Sequence, residues 1–341
     1  MGLQHRPMRQ KDVAECAGII AAHPVIGPRY RGRAKTDLRQ AWLRLLGSEA
    51  MKTAIFEESE GSHVAIRGFG ISVFVTDDFV RELKTPPLFW FGPELAKRIL
   101  WGVSPVLSEK QIRDANSKEG LNLVVWEALP RPGFDKRADI YHMMVSSFIE
   151  GHRGFLWKEM ITAQAESAER LQWALNAGGL LWNPSGRRYA HSPEGKHQEI
   201  FRKPHIVGVT RDVESGRPGS WVGTLFDYHP PKCGFSRREQ GLLLSALSGG
   251  TDEEISDYVG ASRATVKNRW RSIYNRAISC LPELFLDDSQ ANLRNSERGK
   301  EKKRHLLAYL RDHPEELRPV SRKLLEQAVT QKGLSRKYKP A

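Results

Sequence analysis

The apolar positions change period along the chain, and each change predicts an element. At residues 12–22, Val13, Cys16, Ala17, Ile20 and Ala21 recur at helical spacing, and Asp12 is placed to cap that helix. Residues 38–46 repeat the helical period until Gly47 breaks it. Residues 51–57 and 64–75 are then β-branched and aromatic runs flanking the polar stretch EESEGSH, and read as two strands joined by a turn. Residues 79–100 are mixed and rich in Pro and Trp, with no clear period. A third strand is expected at 121–126, before the turn Pro130-Arg131-Pro132-Gly133. A helix at 138–148, a strand at 155–162, an amphipathic helix at 166–177 ending on Gly178-Gly179, and a short strand at 180–182 complete the series. This alternation predicts an α+β domain over residues 1–205. Residues 206–231 are rich in Gly, Pro and Ser without periodicity and are expected to be a linker.

The period turns wholly helical after residue 232. Ser236 and Glu239 have the spacing of a capping box, in which each side chain satisfies the other's backbone amide. Leu242, Leu243, Ala246 and Leu247 form an apolar face behind it, and Gly249-Gly250 stops the helix. Thr251 caps a second short helix that turns Ile255, Tyr258 and Val259 inward, and Gly260 supplies a tight turn. Ser262 caps a third helix with Val266, Trp270, Ile273 and Ala277 on its buried side. Three short helices with a glycine turn before a basic last one satisfy helix-turn-helix geometry. The outward face of the third helix would carry Arg263, Lys267, Asn268 and Arg271. Arg and Lys reach guanine acceptors or phosphates, and Asn pairs with adenine through two hydrogen bonds.

These residues resemble the DNA-binding domain of LuxR-type transcription regulators. The resemblance rests on Phe235, Ser236, Arg238 and Glu239, then on Glu254-Ile255-Ser256, Val259-Gly260-Ala261-Ser262, Thr265-Val266-Lys267 and Ile273. It covers residues 232–280. It implies that Lys267, Asn268 and Arg271 face the major groove and that Thr265 contacts phosphate. Arg269, where the family often has His, joins Arg263 in the expected interface, and Ser256 stands where Ala is usual. A sigma-factor-like helix-turn-helix is a sister reading with the same chemistry. A bundle whose basic face is merely solvated is the bland one. Residues 281–341 add the basic run 299–304 and helices at 305–311 and 315–329, expected as an extension that contacts phosphate, dimerises or is simply solvated.

Composition fits this picture. The chain's 341 residues hold 53 Lys and Arg against 40 Asp and Glu, for a formal charge of +13, which favours anionic partners. Residues 231–341 carry 22 Lys and Arg against 14 Asp and Glu, so most of the surplus sits beside the motif. Cys16, Cys233 and Cys280 stand far apart with no CxxC pair or histidine cluster. The expectation is three reduced thiols, no structural metal and no cofactor. The first residues lack an apolar signal core, and no long apolar run follows. The expected setting is the cytoplasm, at the nucleoid, with double-stranded DNA and a second copy of the chain as partners and no membrane contact.

The first 190 residues also resemble, in element order, the GNAT acyltransferase fold: a helix opened near Asp12, a strand–helix–strand run from residue 121, and the segment AERLQWALNAGGLLW. Active members hold the pyrophosphate of acetyl-CoA with backbone amides of a Gly-rich loop at a helix N-terminus. The matching stretch here is Leu129-Pro130-Arg131-Pro132-Gly133-Phe134, in which each Pro removes an amide donor. The resemblance therefore implies a non-catalytic fold kept as a sensor, scaffold or dimerisation unit, with a small molecule or protein as its effector. An acyltransferase using acyl-CoA, with an accessory helix-turn-helix, is the alternative. Gly68-Phe69-Gly70 reads as a bulge or close packing site within a strand. The nine Trp residues, among them Trp90, Trp101, Trp126, Trp157, Trp173 and Trp182, are read as core, with an apolar ligand pocket as the rival account.

Overall fold

Seven strands form one sheet in the computed structural model, which describes residues 2–61, 63–86, 88–165, 171–172, 175–176, 178–182, 205–214, 220–285 and 295–319. They are β1 (Leu3–Arg6), β2 (Met51–Glu60), β3 (His63–Val75), β4 (Leu121–Pro130), β5 (Trp157–Ala165), β6 (Leu180–Trp182) and β7 (His205–Thr210), in the spatial order β1-β2-β3-β4-β5-β7-β6. Neighbours are antiparallel except β4 and β5, which are parallel. A parallel pair needs a crossover, and the helix α6 (Ala138–His152; α1–α5 follow below) makes it. The β4–β5 ladder runs only from Leu121–Trp157 to Val124–Ile161, although both strands continue, so the two part beyond that point.

The remaining helices of this half are α1 (Val13–Ala22), α2 (Arg33–Leu45), α3 (Asp77–Lys84), α4 (Phe91–Trp101), α5 (Glu109–Asn116), α7 (Arg211–Glu214) and α8 (Gly223–Phe226). Side chains alternate across a strand. In β3, Phe69, Ile71 and Val73 join a core with α1, α2 and α4, while Gly70, Ser72 and Phe74 take the opposite face, Gly70 and Ser72 toward α6. The mixed α/β architecture agrees with the expected α+β class.

Several local expectations are corrected. Asp12 does not cap α1: it accepts from Arg9 N at 2.7 Å and pairs with Arg6 at 2.6 Å in a buried cluster with Glu57. The polar stretch 57–60 continues β2, and two of its carboxylates pair with the neighbouring strands, Glu57 with Arg6 of β1 and Glu58 with Arg67 of β3. Residues 79–100 hold most of α3 and α4, with Thr76 Oγ1 accepting from Phe79 N at the start of α3. The linker expected at 206–231 begins inside the fold. β7 lies inside the sheet between β5 and β6, and the chain divides into two compact units after Phe226 instead. The helix expected at 166–177 falls mostly outside the described residues. Gly68 behaves as expected: a Cβ there would stand 2.9 Å from Leu129 O, and the register shifts opposite it between Phe56 and Glu57. Trp126 and Trp157 are core, together with Trp42, whereas Trp101 is exposed and Trp90 lies under the Arg29 guanidinium at 3.5 Å.

The second unit contains α9 (Arg237–Leu247), α10 (Asp252–Tyr258), α11 (Arg263–Cys280) and α12 (Asn295–Asp312), with 3-10 turns at Pro282–Phe285 and Pro314–Leu317. Leu242, Leu243, Ile255, Val266 and Ile273 form its centre. The described part of the extension after residue 281 is not simply solvated: Leu306, Leu310 and Leu317 are buried in that same core. The expected helix at 315–329 is described only in part, as the turn Pro314–Leu317. The expectation of three reduced thiols also fails, because Cys233 and Cys280 are disulfide-bonded, with Cα atoms 5.6 Å apart. They are 47 residues apart in sequence, and the bundle returns the end of α11 to the segment before α9. Cys16 is a free thiol, buried in α1, where burial and the Asp12 and Glu15 charges push it up to about 12.

Candidate nucleic-acid interface

The expected caps form. Ser236 N donates to Glu239 Oε2 at 2.8 Å and Glu239 N to Ser236 Oγ at 3.4 Å; the same box closes α10 between Thr251 and Glu254. Gly249 and Gly260 take the left-handed φ that ends each of the first two helices, +84° and +58°. Between α10 and α11, Ala261 N donates to Ser256 O at 3.0 Å, and the Ser256 hydroxyl bonds Ala261 O. Ser256, a departure from the LuxR-like pattern, thus latches the turn. Ser262 Oγ accepts from Thr265 N at 3.2 Å and begins α11. Tyr258, expected to turn inward, has a side chain outside the described residues.

α11 then divides as its sequence requires. Val266, Trp270, Ile273 and Ala277 are buried, while Arg263, Thr265, Lys267, Asn268 and Arg271 are exposed and Arg269 is half-buried. The helix carries five basic residues and no acidic one. The three acids that open α10 are each engaged: Asp252 with Lys303 at 3.1 Å, Glu253 with Arg263, and Glu254 in its cap. Arg263 therefore starts from an exposed ion pair. Among the described residues, Lys267, Asn268 and Arg271 have no side-chain partner, so their donors face solvent. Chemically, such a face can donate to phosphate oxygens and to base edges.

Behind this face lies a bracing network that the sequence pattern did not suggest. Glu239 accepts from Ser272 Oγ at 2.9 Å and lies 3.6 Å from Arg276, which ties the first helix to the third. Burial alone would raise its carboxyl, but the Ser236 and Ser272 hydrogen bonds and the Arg276 charge hold it below the ordinary carboxylate range. Lys303 of α12 bridges Asp252 and the face of the Trp270 ring, 4.9 Å from its centroid. Glu316 accepts from Lys232 N at 2.9 Å and Cys233 N at 3.0 Å, anchoring the chain that enters α9. Only the basic run at 299–304 hinted that α12 takes part. No family model and no curated protein sequence matches the chain.

Proposed function

We propose that residues 232–280 are a helix-turn-helix that reads double-stranded DNA through the major groove, in the manner of LuxR-type regulators, and that the protein is a transcription regulator of the bacterial cytoplasm. The observation that carries this reading is the split of α11: an apolar side anchored in the unit's core, and an opposite side of Thr265, Lys267, Asn268 and Arg271 that is exposed. Of the five basic residues on α11, Arg263 pairs with Glu253 and Arg276 faces Glu239, while Lys267 and Arg271 have no acidic partner among the described residues, which supports a role toward an anionic ligand. One recognition helix contacts too few base pairs for a specific site, so the working form in this reading is a homodimer on two half-sites. Selection of bound sites from random DNA, followed by titration of the recovered duplex, tests it. Replacing Lys267, Asn268 and Arg271 with Ala should cost about 1–3 kcal/mol of binding for each base-reading side chain removed. Undiminished affinity of that triple variant would rule out α11 as the reader.

In the same proposal the first unit is a GNAT-like scaffold that receives an effector and performs no acyl transfer. Its single parallel pair with a crossover helix and its strand order support the fold assignment. The loop after β4 speaks against catalysis, because its amides are already used. Arg131 N donates to Arg67 O at 2.7 Å, Gly133 N to Asp135 at 3.3 Å and Phe134 N to Arg131 O at 2.9 Å. The parting of β4 from β5 favours the rival, an acyltransferase with acyl-CoA between those strands. Calorimetric titration with acetyl-CoA separates the two, since saturable uptake would support the rival.

A further inference from the structure

Between the sheet and α6, the first unit holds a cavity of about 190 Å³. Ala54 and Gly70, cross-strand partners in β2 and β3, lie beside Ser72 on its sheet side. A Cβ added to Gly70 would meet nothing within 4 Å, so the space above it is open. Phe56, Phe148, Met144 and Met160 line the walls. Val145 and Trp221 also line it, yet are 37 % and 39 % exposed, which places large apolar groups where the cavity meets water.

The lining contains one buried side-chain pair, Ser72 and His152, with Oγ and Nε2 2.6 Å apart. Nδ1 of His152 lies 2.7 Å from Phe148 O. A carbonyl only accepts, so Nδ1 carries the ring proton and Nε2 takes the hydroxyl hydrogen of Ser72. The Ser72 oxygen keeps its accepting lone pairs, and no described residue donates to them. Among the other lining hydroxyls, Thr53 Oγ1 accepts from Met8 N, and Ser147 and Thr162 donate to the Met144 and Val207 carbonyls, so each is turned to backbone, while Ser72 lies beside Gly70 and the open space above it. Lys52 at the edge is held by Glu49 at 2.6 Å, so the lining offers no ready counter-charge to an anion.

An apolar cavity of about 150 Å³ takes a benzene ring, so this one has room for a ring and one small substituent. Aromatic walls and two thioethers favour an aromatic occupant. We infer that this cavity binds a neutral, ring-sized aromatic molecule with one hydrogen-bond donor, of the phenol or indole class, its donor resting on Ser72 Oγ. The inference does not depend on what α11 reads.

Calorimetric titration of the full chain with phenol, and with toluene as its match in size without a donor, tests it. Phenol should saturate one site and bind at least tenfold tighter than toluene. Ser72→Ala should bring phenol down to the level of toluene. Gly70→Leu, which fills open space, should abolish uptake of both while keeping the parent's melting temperature. If that variant fails to fold, Met144→Trp fills the same space from α6 and carries the same expectation. Absence of saturable phenol uptake overturns the proposal. So does uptake that the filled cavity leaves intact, or equal affinity for phenol and toluene.

Discussion

Glu239 concentrates three tasks in one carboxylate: it closes the capping box of α9, accepts from Ser272 and faces Arg276. Its folded form holds the proton less tightly than its ordinary value of 4.5. The stabilisation it provides is therefore fully present above that value and is lost as pH falls through the lower folded one. Replacing it with Gln keeps the shape but removes the charge from hydrogen bonds that charge strengthens, at an expected cost of about 1–3 kcal/mol at neutral pH. Urea unfolding of parent and Glu239→Gln at pH 7 and again below pH 4.5 checks this. The gap between them should narrow in acid, where the parent's carboxyl is also protonated. A constant gap would mean that packing, and not charge, accounts for the residue.

At the scale of the element, α12 changes what the second unit is. A helix-turn-helix of three helices alone buries little apolar surface, and small cores are marginal. Leu306 and Leu310 extend that core, and Lys303 spans Asp252 and Trp270 from the same helix. Leu306→Ala should destabilise the unit by about 2–5 kcal/mol, the usual range for emptying a buried leucine site. A denaturation midpoint indistinguishable from the parent's would return α12 to the status of a solvated extension. Placed this way, the basic run before Leu306 acts partly as a brace, with Lys303 turned to Asp252 and Arg304 paired with Glu301.

At the scale of the molecule, the Cys233–Cys280 bond closes a loop of 47 residues around all three helices of the proposed reader. By loop-closure entropy such a link stabilises by about 4 kcal/mol. In the reducing cytoplasm of the proposed function the two thiols would be held reduced, so there the unit would stand on its core alone and gain the link only on oxidation. Reductant should lower the unfolding midpoint of the parent and leave that of the Cys233→Ser, Cys280→Ser variant unchanged. Differential alkylation of the native chain provides the control. Cys16, buried and with its thiol pushed up to about 12, should stay unmodified under either condition. Equal sensitivity of both proteins to reductant would mean that the link carries no stability.

Much was legible from residues in order, because the signals were local. Ser236 with Glu239, Thr251, Gly260 and Ser262 mark helix ends through interactions three residues apart, and each forms as expected. The strands around Ile71 and Val124 follow from apolar β-branched runs, and the exposed side of α11 from a period of 3.6. What escaped the linear reading depends on partners distant in the chain. Asp12 looks like a cap until Arg6, held by the distant Glu57, draws its carboxylate away, and residues 205–210 look like a linker until β5 and β6 flank them. Cys233 finds Cys280, and α12 finds the core of α9 and α11, only once the bundle closes. The cavity over Gly70 has no linear signature at all: it is space left between a sheet and a helix, and such space exists only after the two have packed.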